Sequence, residues 1–111
     1  MKEKVILIQS EVIGRGDERL GSLLMANFLR LLVENKDKPC SLIFWNTGVR
    51  LACEGSEVIN YLKKLEEQGV DILACTTCLE YFNLVDKLLV GKPTTMVKSI
   101  QSILHHNIVS L

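Results

Sequence analysis

The sequence has no excess of charge of either sign, since its 111 residues carry 13 basic and 13 acidic side chains. A balanced charge gives no electrostatic signal for nucleic-acid binding. The apolar run that follows Met1-Lys2-Glu3-Lys4 spans only a few residues, which is too short for a signal peptide core or a membrane span. We therefore expect no nucleic-acid partner, no membrane association and a cytoplasmic location.

Aromatic residues and prolines are also scarce, and the sequence has no repeat and no low-complexity tract. Hydrophobic residues still make up 48% of the chain, so the core is expected to be aliphatic and the composition argues against disorder. The length is typical of one compact unit. We expect residues 1–111 to form a single domain.

Three apolar runs are continuous rather than alternating, which is typical of strands that are buried on both faces. They span residues 4–10, 40–45 and 70–74. Amphipathic segments between them predict helices over about 17–35 and from Ser56 to Gly69. Strands and helices that alternate with short connections favour right-handed crossovers. The predicted fold is therefore an α/β three-layer sandwich with a mainly parallel sheet.

The inner faces of two helices are predicted from helical spacing. For the first helix they are Leu20, Leu24, Phe28 and Leu31, with Leu23 and Leu32 beside them, and Gly21 marks close packing. For a last helix, which Pro93 would open, they are Met96, Val97, Ile100 and Leu104. The segment Leu88–Val90 fits either a fourth strand or a helix end, and residues 107–111 are expected to form an edge strand.

The sequence Cys75-Thr76-Thr77-Cys78 directly follows the third predicted strand. Two cysteines at this spacing can form a disulfide, share a metal ion or hold one reactive thiolate, and spacing alone does not choose among these. Cys75 precedes a helix start that Thr76 or Thr77 could cap, and the positive end of a helix dipole favours thiolate. Cys75 is thus the predicted nucleophile, and Cys78 either resolves a persulfide or mixed disulfide on it or only packs.

Three loops follow the strands at 11–17, 46–54 and 75–78, and the carboxyl ends of parallel strands share one edge of the sheet. We therefore expect them to form one crevice. Gly14-Arg15-Gly16-Asp17 could offer N–H groups and the charge of Arg15 to an anion, or could be only a tight turn with a helix cap. Asn46 and Gly48 would shape the crevice, although both are favoured as turn residues.

The other cysteines and the two histidines are expected to have no chemical role. Cys40 opens a buried strand and Cys53 has apolar neighbours, so both are predicted to be small inert core residues. His105 and His106 are predicted to face the solvent, because nothing near them in sequence supplies a partner.

Several of these stretches together resemble the DsrE-like family of small sulfur-relay proteins, most closely the carboxy-terminal domain of YedF, a sulfurtransferase-like protein linked to selenium metabolism. The stretches that carry the resemblance are Gly14–Glu18 with Leu20-Gly21, Phe44–Val49, Glu54–Ser56, Gly69–Leu73, Cys75–Leu79, Val90-Gly91 and Met96. The resemblance implies a flavodoxin-like sandwich, assembly into homo-oligomers and a sulfur-carrying cysteine at the position of Cys75. YedF proteins also carry a TusA-like domain, so we expect a TusA-like sulfur donor or acceptor to act in trans.

The function predicted from the residues and the resemblance is a persulfide carrier that holds sulfane sulfur or selenium on Cys75. Such transfer proceeds by thiolate exchange, so no cofactor and no metal are expected. Two alternatives stay open. One is a dithiol redox protein that cycles Cys75 and Cys78 to a disulfide. The other is a non-catalytic binding or assembly module in which the CxxC pair is half of a zinc site.

Overall fold

The computed structural model describes residues 3–111, within which five strands form one sheet. Helices and two short 3₁₀ segments connect the strands. In chain order the elements are β1 (Lys4–Ile8), α1 (Glu18–Glu34), β2 (Ser41–Phe44), a 3₁₀ segment (Asn46–Ala52), α2 (Ile59–Glu67), β3 (Asp71–Cys75), α3 (Thr76–Tyr81), a 3₁₀ turn (Val85–Lys87), β4 (Lys92–Thr94), α4 (Met96–His105) and β5 (Asn107–Ser110).

The sheet has the order β4-β3-β2-β1-β5, and every neighbouring pair is parallel. The chain moves in one direction from β1 to β4 and then returns to add β5 beside β1. Because βαβ crossovers are right-handed, this reversal puts α4 on the opposite face of the sheet from α1 and α2. The predicted α/β sandwich with a parallel sheet is confirmed, and β5 is an edge strand as expected.

The larger apolar core lies between the sheet and α1 and α2. It includes Ile8, Phe44 and Ile72 from the strands and Leu62 and Leu65 from α2. A smaller cluster on the other face of the sheet buries Val5, Leu7 and Ile43. The strands are therefore apolar on both faces, which is why their sequences read as continuous hydrophobic runs.

The predicted inner face of α1 is wrong in its main members. The residues of α1 that are buried are Gly21, Met25 and Leu29, whereas Leu20, Leu23, Leu24 and Leu31 are exposed. Two apolar stripes run along this helix, and periodicity alone does not say which one packs. The stripe that contains Gly21 is the one that packs, and its contact is close, since a Cβ at Gly21 would lie 2.7 Å from Cβ of Val12. A residue without a side chain lets the helix approach the loop after β1 at this point.

The predicted inner face of α4 is also wrong. Met96, Val97, Ile100 and Leu104 are all exposed, and the buried residue of this helix is Ser99. An apolar stripe indicates that a helix face can bury surface, but it does not indicate that another element of the same chain covers it. Within residues 3–111, no element covers this face of α4.

Pro93 does not open the last helix but lies in β4, where it pairs with Ala74 of β3. β4 is the edge of the sheet, so a missing N–H on its free side costs no ladder hydrogen bond. The segment Leu88–Val90 belongs to neither a strand nor a helix, and Leu88 forms an isolated bridge with Cys53. Within residues 3–111, no helix has both the length and the apolar character that crossing a membrane requires.

Candidate functional site

The CxxC pair lies at the carboxyl end of β3, which is an inner strand of the sheet. Cys75 ends β3 and occupies the N-cap position of α3, while Cys78 lies in the first turn of that helix. Cys75 is only 4% exposed, Cys78 is half-buried, and both are free thiols. The predicted cap by Thr76 or Thr77 is wrong, because both residues are inside α3. Thr76 Oγ1 instead donates a hydrogen bond of 3.0 Å to the carbonyl of Thr94.

The loop after β2 supplies a hydrogen-bond donor to the second cysteine. The backbone N–H of Asn46 donates to Sγ of Cys78 at 3.1 Å. Asn46 has a φ of 53°, a left-handed conformation in which asparagine is enriched among residues other than glycine. Its Oδ1 accepts a hydrogen bond from the N–H of Thr47, which stabilises the turn. Asn46 is therefore both a turn residue and a contact of the thiol.

Burial raises the pKa of the Cys78 thiol above its ordinary value. The neighbouring Cys75 side chain adds to the rise, as a hydrogen-bond partner and as a nearby charge, whereas the N–H of Asn46 opposes it. The effects that raise the pKa outweigh those that lower it, so Cys78 is a protonated thiol at neutral pH. A protonated Cys78 can donate its proton or a hydrogen bond to a sulfur atom held on Cys75.

A cleft of about 550 Å³ opens over the two cysteines. Its lining is uncharged and largely aromatic or apolar, and consists of Gln9, Trp45, Asn46, Cys75, Thr77, Cys78, Tyr81, Phe82 and Met96. The rings of Tyr81 and Phe82 pack edge to face with centroids 5.1 Å apart. The guanidinium of Arg50 lies 4.5 Å from the centroid of the Phe82 ring, a distance at which a cation–π interaction forms, although Arg50 does not line the cleft.

The predicted glycine-rich loop does not line this cleft. Gly14, Arg15 and Gly16 line a separate cleft together with Leu111, and only Gln9 is common to both. β2 lies between β1 and β3 in the sheet, so the loop after β1 is two strands away from Cys75.

Two further residues that were predicted for the site have structural roles instead. Asp17 is the N-cap of α1, where its Oδ1 accepts a hydrogen bond of 2.9 Å from the N–H of Leu20. Gly48 is buried, and a Cβ at this position would overlap the carbonyl oxygen of Ile8. Of the residues predicted for the crevice, the cleft thus brings together Asn46 and Thr77 with the two cysteines.

Sequence reasoning missed five residues of the cleft, which are Gln9, Trp45, Tyr81, Phe82 and Met96. Gln9 and Trp45 directly follow β1 and β2, so their positions at strand ends were an available signal. Tyr81 and Phe82 follow Cys78 by about one helical turn, which is the spacing at which helical side chains meet. Met96 comes from the start of α4, and its helical spacing predicted a place on the inner face of that helix rather than in the site. The indole N–H of Trp45 is buried without a hydrogen-bond partner among the described residues.

The remaining cysteines and histidines differ partly from expectation. Cys53 is fully buried as predicted, and its Sγ donates to the carbonyl of Val49 at 3.2 Å. Burial raises the pKa of this thiol. His105 is exposed, as predicted. The prediction for His106 is wrong, because its side chain is only 26% exposed and its Nε2 lies 3.7 Å from Oε2 of Glu3.

The fold and the site together define a class: a parallel α/β sandwich with a CxxC pair at the carboxyl end of an inner strand. A profile of the DsrE/DsrF-like family matches residues 4–107. The chain therefore belongs to the DsrE/DsrF-like family, as the sequence motifs predicted. No curated protein sequence gives a match to the chain.

Solved structures of similar fold include proteins from archaea and bacteria. A protein of unknown function, MTH1491 from Methanobacterium thermoautotrophicum, superposes with a TM-score of 0.72 at 21% identity. The ychN protein from E. coli superposes with a TM-score of 0.74 at 20% identity, and in both cases each chain is covered completely. BT1422 from Bacteroides thetaiotaomicron gives a TM-score of 0.67 at 17% identity, with 98% of this chain and 95% of that chain covered. At these identities the likeness shows a shared fold alone.

Proposed function

We propose that this protein is a sulfur-relay carrier that holds a sulfane sulfur atom as a persulfide on Cys75. Membership in the DsrE/DsrF-like family supports a function related to sulfur relay. The observation that carries the proposal is the meeting of two free thiols and the N–H of Asn46 in one uncharged cleft. No cofactor is required, because sulfane sulfur moves between thiols by exchange.

The transfer step is a thiolate exchange that conserves sulfur oxidation states. The thiolate of Cys75 attacks the terminal sulfur of a donor persulfide, R–S–SH, and forms a new S–S bond. The old S–S bond breaks, and the donor leaves as the thiolate R–S⁻. Cys75 then carries –S–SH until an acceptor thiolate takes the terminal sulfur in the same way.

Cys78 is proposed to assist the carrier rather than to carry sulfur. Its raised pKa leaves a proton on Sγ at neutral pH, and that proton can protonate a departing thiolate or stabilise a persulfide on Cys75 by a hydrogen bond. The N–H of Asn46 then stabilises the negative charge that remains on Cys78. Cys78 can also release the sulfur by attacking the persulfide, in which case it forms a disulfide with Cys75 and hydrogen sulfide leaves.

The test is the intact mass of the reduced protein after incubation with a persulfide donor. Wild type should gain the mass of one sulfur atom, and a later reaction with excess thiol should remove it. Cys75→Ser should prevent the gain, whereas Cys78→Ser and the control Cys40→Ser should retain it. If Cys75→Ser still gains one sulfur atom, or if wild type gains none, Cys75 is not the carrier.

A dithiol redox function is the second candidate, because two free thiols separated by one helical turn can close to a disulfide. In that case a disulfide oxidant such as oxidised glutathione would accept two electrons and two protons from Cys75 and Cys78. The same mass measurement distinguishes the two functions, since oxidation removes two hydrogen atoms and adds no sulfur. A two-electron potential near that of thioredoxin would favour the redox function.

We further propose that the protein is a single-domain carrier that acts with partner proteins in a reducing compartment such as the cytoplasm. The partner is a sulfur donor or acceptor of TusA-like chemistry, which presents its own cysteine to the cleft in trans. The protein is also proposed to form homo-oligomers, because α1 and α4 each expose a stripe of large apolar side chains. The closer likeness to YedF, and transfer of selenium in place of sulfur, remain predictions.

A further inference from the structure

Three potential metal ligands meet where the strands of the sheet begin, at the end opposite to the CxxC pair. Glu3, Cys40 and His106 directly precede β1, β2 and β5, which are adjacent strands in the sheet. One ligand atom from each residue lies within 4.8 Å of the other two. Because these strands are parallel, their first residues share one edge, and the cluster is far from Cys75 at the other edge.

The backbone around the cluster is held by hydrogen bonds between the strand starts. The N–H of Cys40 donates to the carbonyl of Lys4 at 2.8 Å, and the N–H of Asn107 donates to the carbonyl of Glu3 at 3.1 Å. The carbonyl of Cys40 accepts from the N–H of Asp71 at 3.0 Å. The sheet therefore fixes the relative positions of all three Cα atoms, so the side chains need little backbone movement to meet at one ion.

The ring of His106 is oriented as a metal ligand requires. Its Nδ1 lies 2.8 Å from the carbonyl oxygen of Ser102. A carbonyl oxygen can only accept, so Nδ1 carries the proton, and in the neutral ring Nε2 carries the free lone pair. That Nε2 is the atom that faces Oε2 of Glu3 at 3.7 Å. A backbone carbonyl that holds the far nitrogen of a histidine is the usual support of histidine ligands to metals.

We propose that Glu3, Cys40 and His106 form a binding site for a divalent ion of the zinc type. Thiolate, imidazole and carboxylate are the ligands that Zn²⁺ takes, and at tetrahedral geometry its N and O ligands lie about 3.4 Å apart. The observed separation of 3.7 Å between Nε2 and Oε2 is close to this value. On binding, the thiol of Cys40 releases its proton to solvent and the thiolate becomes the third ligand.

The three ligands leave one coordination position open, and Glu3 is exposed, so water or a ligand from solution can complete the tetrahedron. The ion would also join the starts of β1, β2 and β5. Among residues 3–111, β5 is an edge strand that pairs with β1 alone. A bound ion therefore strengthens the docking of the end of the chain, and this function is independent of sulfur transfer at Cys75.

The experiment uses tag-free protein in which Cys75→Ser and Cys78→Ser remove the competing thiols. Titration with Co²⁺ should give the near-ultraviolet charge-transfer band of a cobalt thiolate together with the visible bands of four-coordinate cobalt. Zn²⁺ should displace the Co²⁺ with a stoichiometry of one, and should raise the thermal unfolding midpoint. Adding Cys40→Ser should abolish the charge-transfer band, and His106→Gln should weaken Zn²⁺ binding by about 100-fold or more.

His105→Gln is the matched control, because Nδ1 of His105 makes the same contact of 2.8 Å to the carbonyl four residues earlier and lies outside the cluster. Its Zn²⁺ affinity should equal that of the parent protein. Glu3→Gln keeps the exposed side chain's size and should weaken binding without changing the fold measured by circular dichroism. Absence of the charge-transfer band in the parent protein, or an equal loss of affinity in His105→Gln and His106→Gln, overturns the proposal. Neither result bears on sulfur transfer by Cys75.

Discussion

The backbone N–H of Asn46 donates a hydrogen bond of 3.1 Å to Sγ of Cys78, which lies 32 positions further along the chain. β2 and β3 are adjacent parallel strands, so the residues that follow them meet at the same edge of the sheet. The contact joins the loop after one strand to the helix after the next. It therefore places a polar donor beside a thiol in a cleft whose lining is largely apolar or aromatic.

Cys78 is expected to react slowly with alkylating agents at neutral pH. Burial raises the pKa of its thiol and Cys75 adds to the rise, so the reactive thiolate forms only at higher pH than in an ordinary cysteine. The rate of iodoacetamide modification, located at Cys78 by fragment-ion mass spectrometry, should have a pH midpoint above about 8.5. In Cys75→Ala the midpoint should fall, because the neighbouring thiol no longer adds to the rise. A midpoint below the ordinary value in wild type would contradict this.

Gly91→Ala is expected to destabilise the protein more than Gly55→Ala. Both glycines have a positive φ, 75° and 94°, so both substitutions carry the backbone cost of about 1–2 kcal/mol. A Cβ at Gly91 would in addition overlap the carbonyl oxygen of Ile72, whereas a Cβ at Gly55 has nothing within 4 Å. We expect the extra loss at Gly91 to be about 1–3 kcal/mol in urea unfolding. Equal losses of unfolding free energy in the two variants would contradict this, because the backbone near Gly91 would then accommodate the methyl group at no extra cost.

The stability that the Cys53 thiol contributes is expected to disappear at alkaline pH. Burial raises its pKa in the folded state, so the unfolded chain loses this proton at a lower pH than the folded chain does. The contribution is therefore fully present below the unfolded pKa of about 8.5 and falls as the pH rises above it, by at most about 1.4 kcal/mol per pH unit.

Urea unfolding of wild type and Cys53→Ala at several pH values measures this effect. The difference in unfolding free energy should be constant below about pH 8 and should narrow at higher pH. The difference measured below about pH 8 gives the loss of packing in Cys53→Ala, and it serves as the internal control. A difference that stays constant up to pH 10 would rule out the linkage.

Self-association is expected to depend on the exposed stripe of α4. Ile100 is 47% exposed and lies between Val97 and Leu104 on that stripe. If the stripe forms a contact between copies, Ile100→Lys buries a charge there and should reduce the mass in sedimentation equilibrium toward the 12.5 kDa of one chain. Gln101→Lys adds the same charge to the neighbouring exposed residue and should leave the mass unchanged. If wild type has the mass of one chain in the same experiment, the proposal of a homo-oligomer is wrong.

Much of the fold followed from local patterns in the sequence. The continuous apolar run after Lys4 predicted β1, because a strand covered on both faces has no polar positions to alternate with. Asp17 and Asn35 predicted the ends of α1 within one residue, since a capping side chain satisfies the N–H groups of a first turn locally. Pro93 was misjudged because its own geometry suits both a helix start and an edge strand.

The sequence by itself determined the residue types at the strand ends, the limits of α1 and the position of Cys75 at the end of β3. Periods of two and 3.6 residues are set by the backbone of each element, so they are visible without the rest of the chain. Tertiary structure alone decided which apolar stripe of α1 is buried, that Gly14–Gly16 lies in a separate cleft, and that Glu3, Cys40 and His106 meet. Those outcomes depend on strand order, which arises from packing between elements distant in sequence.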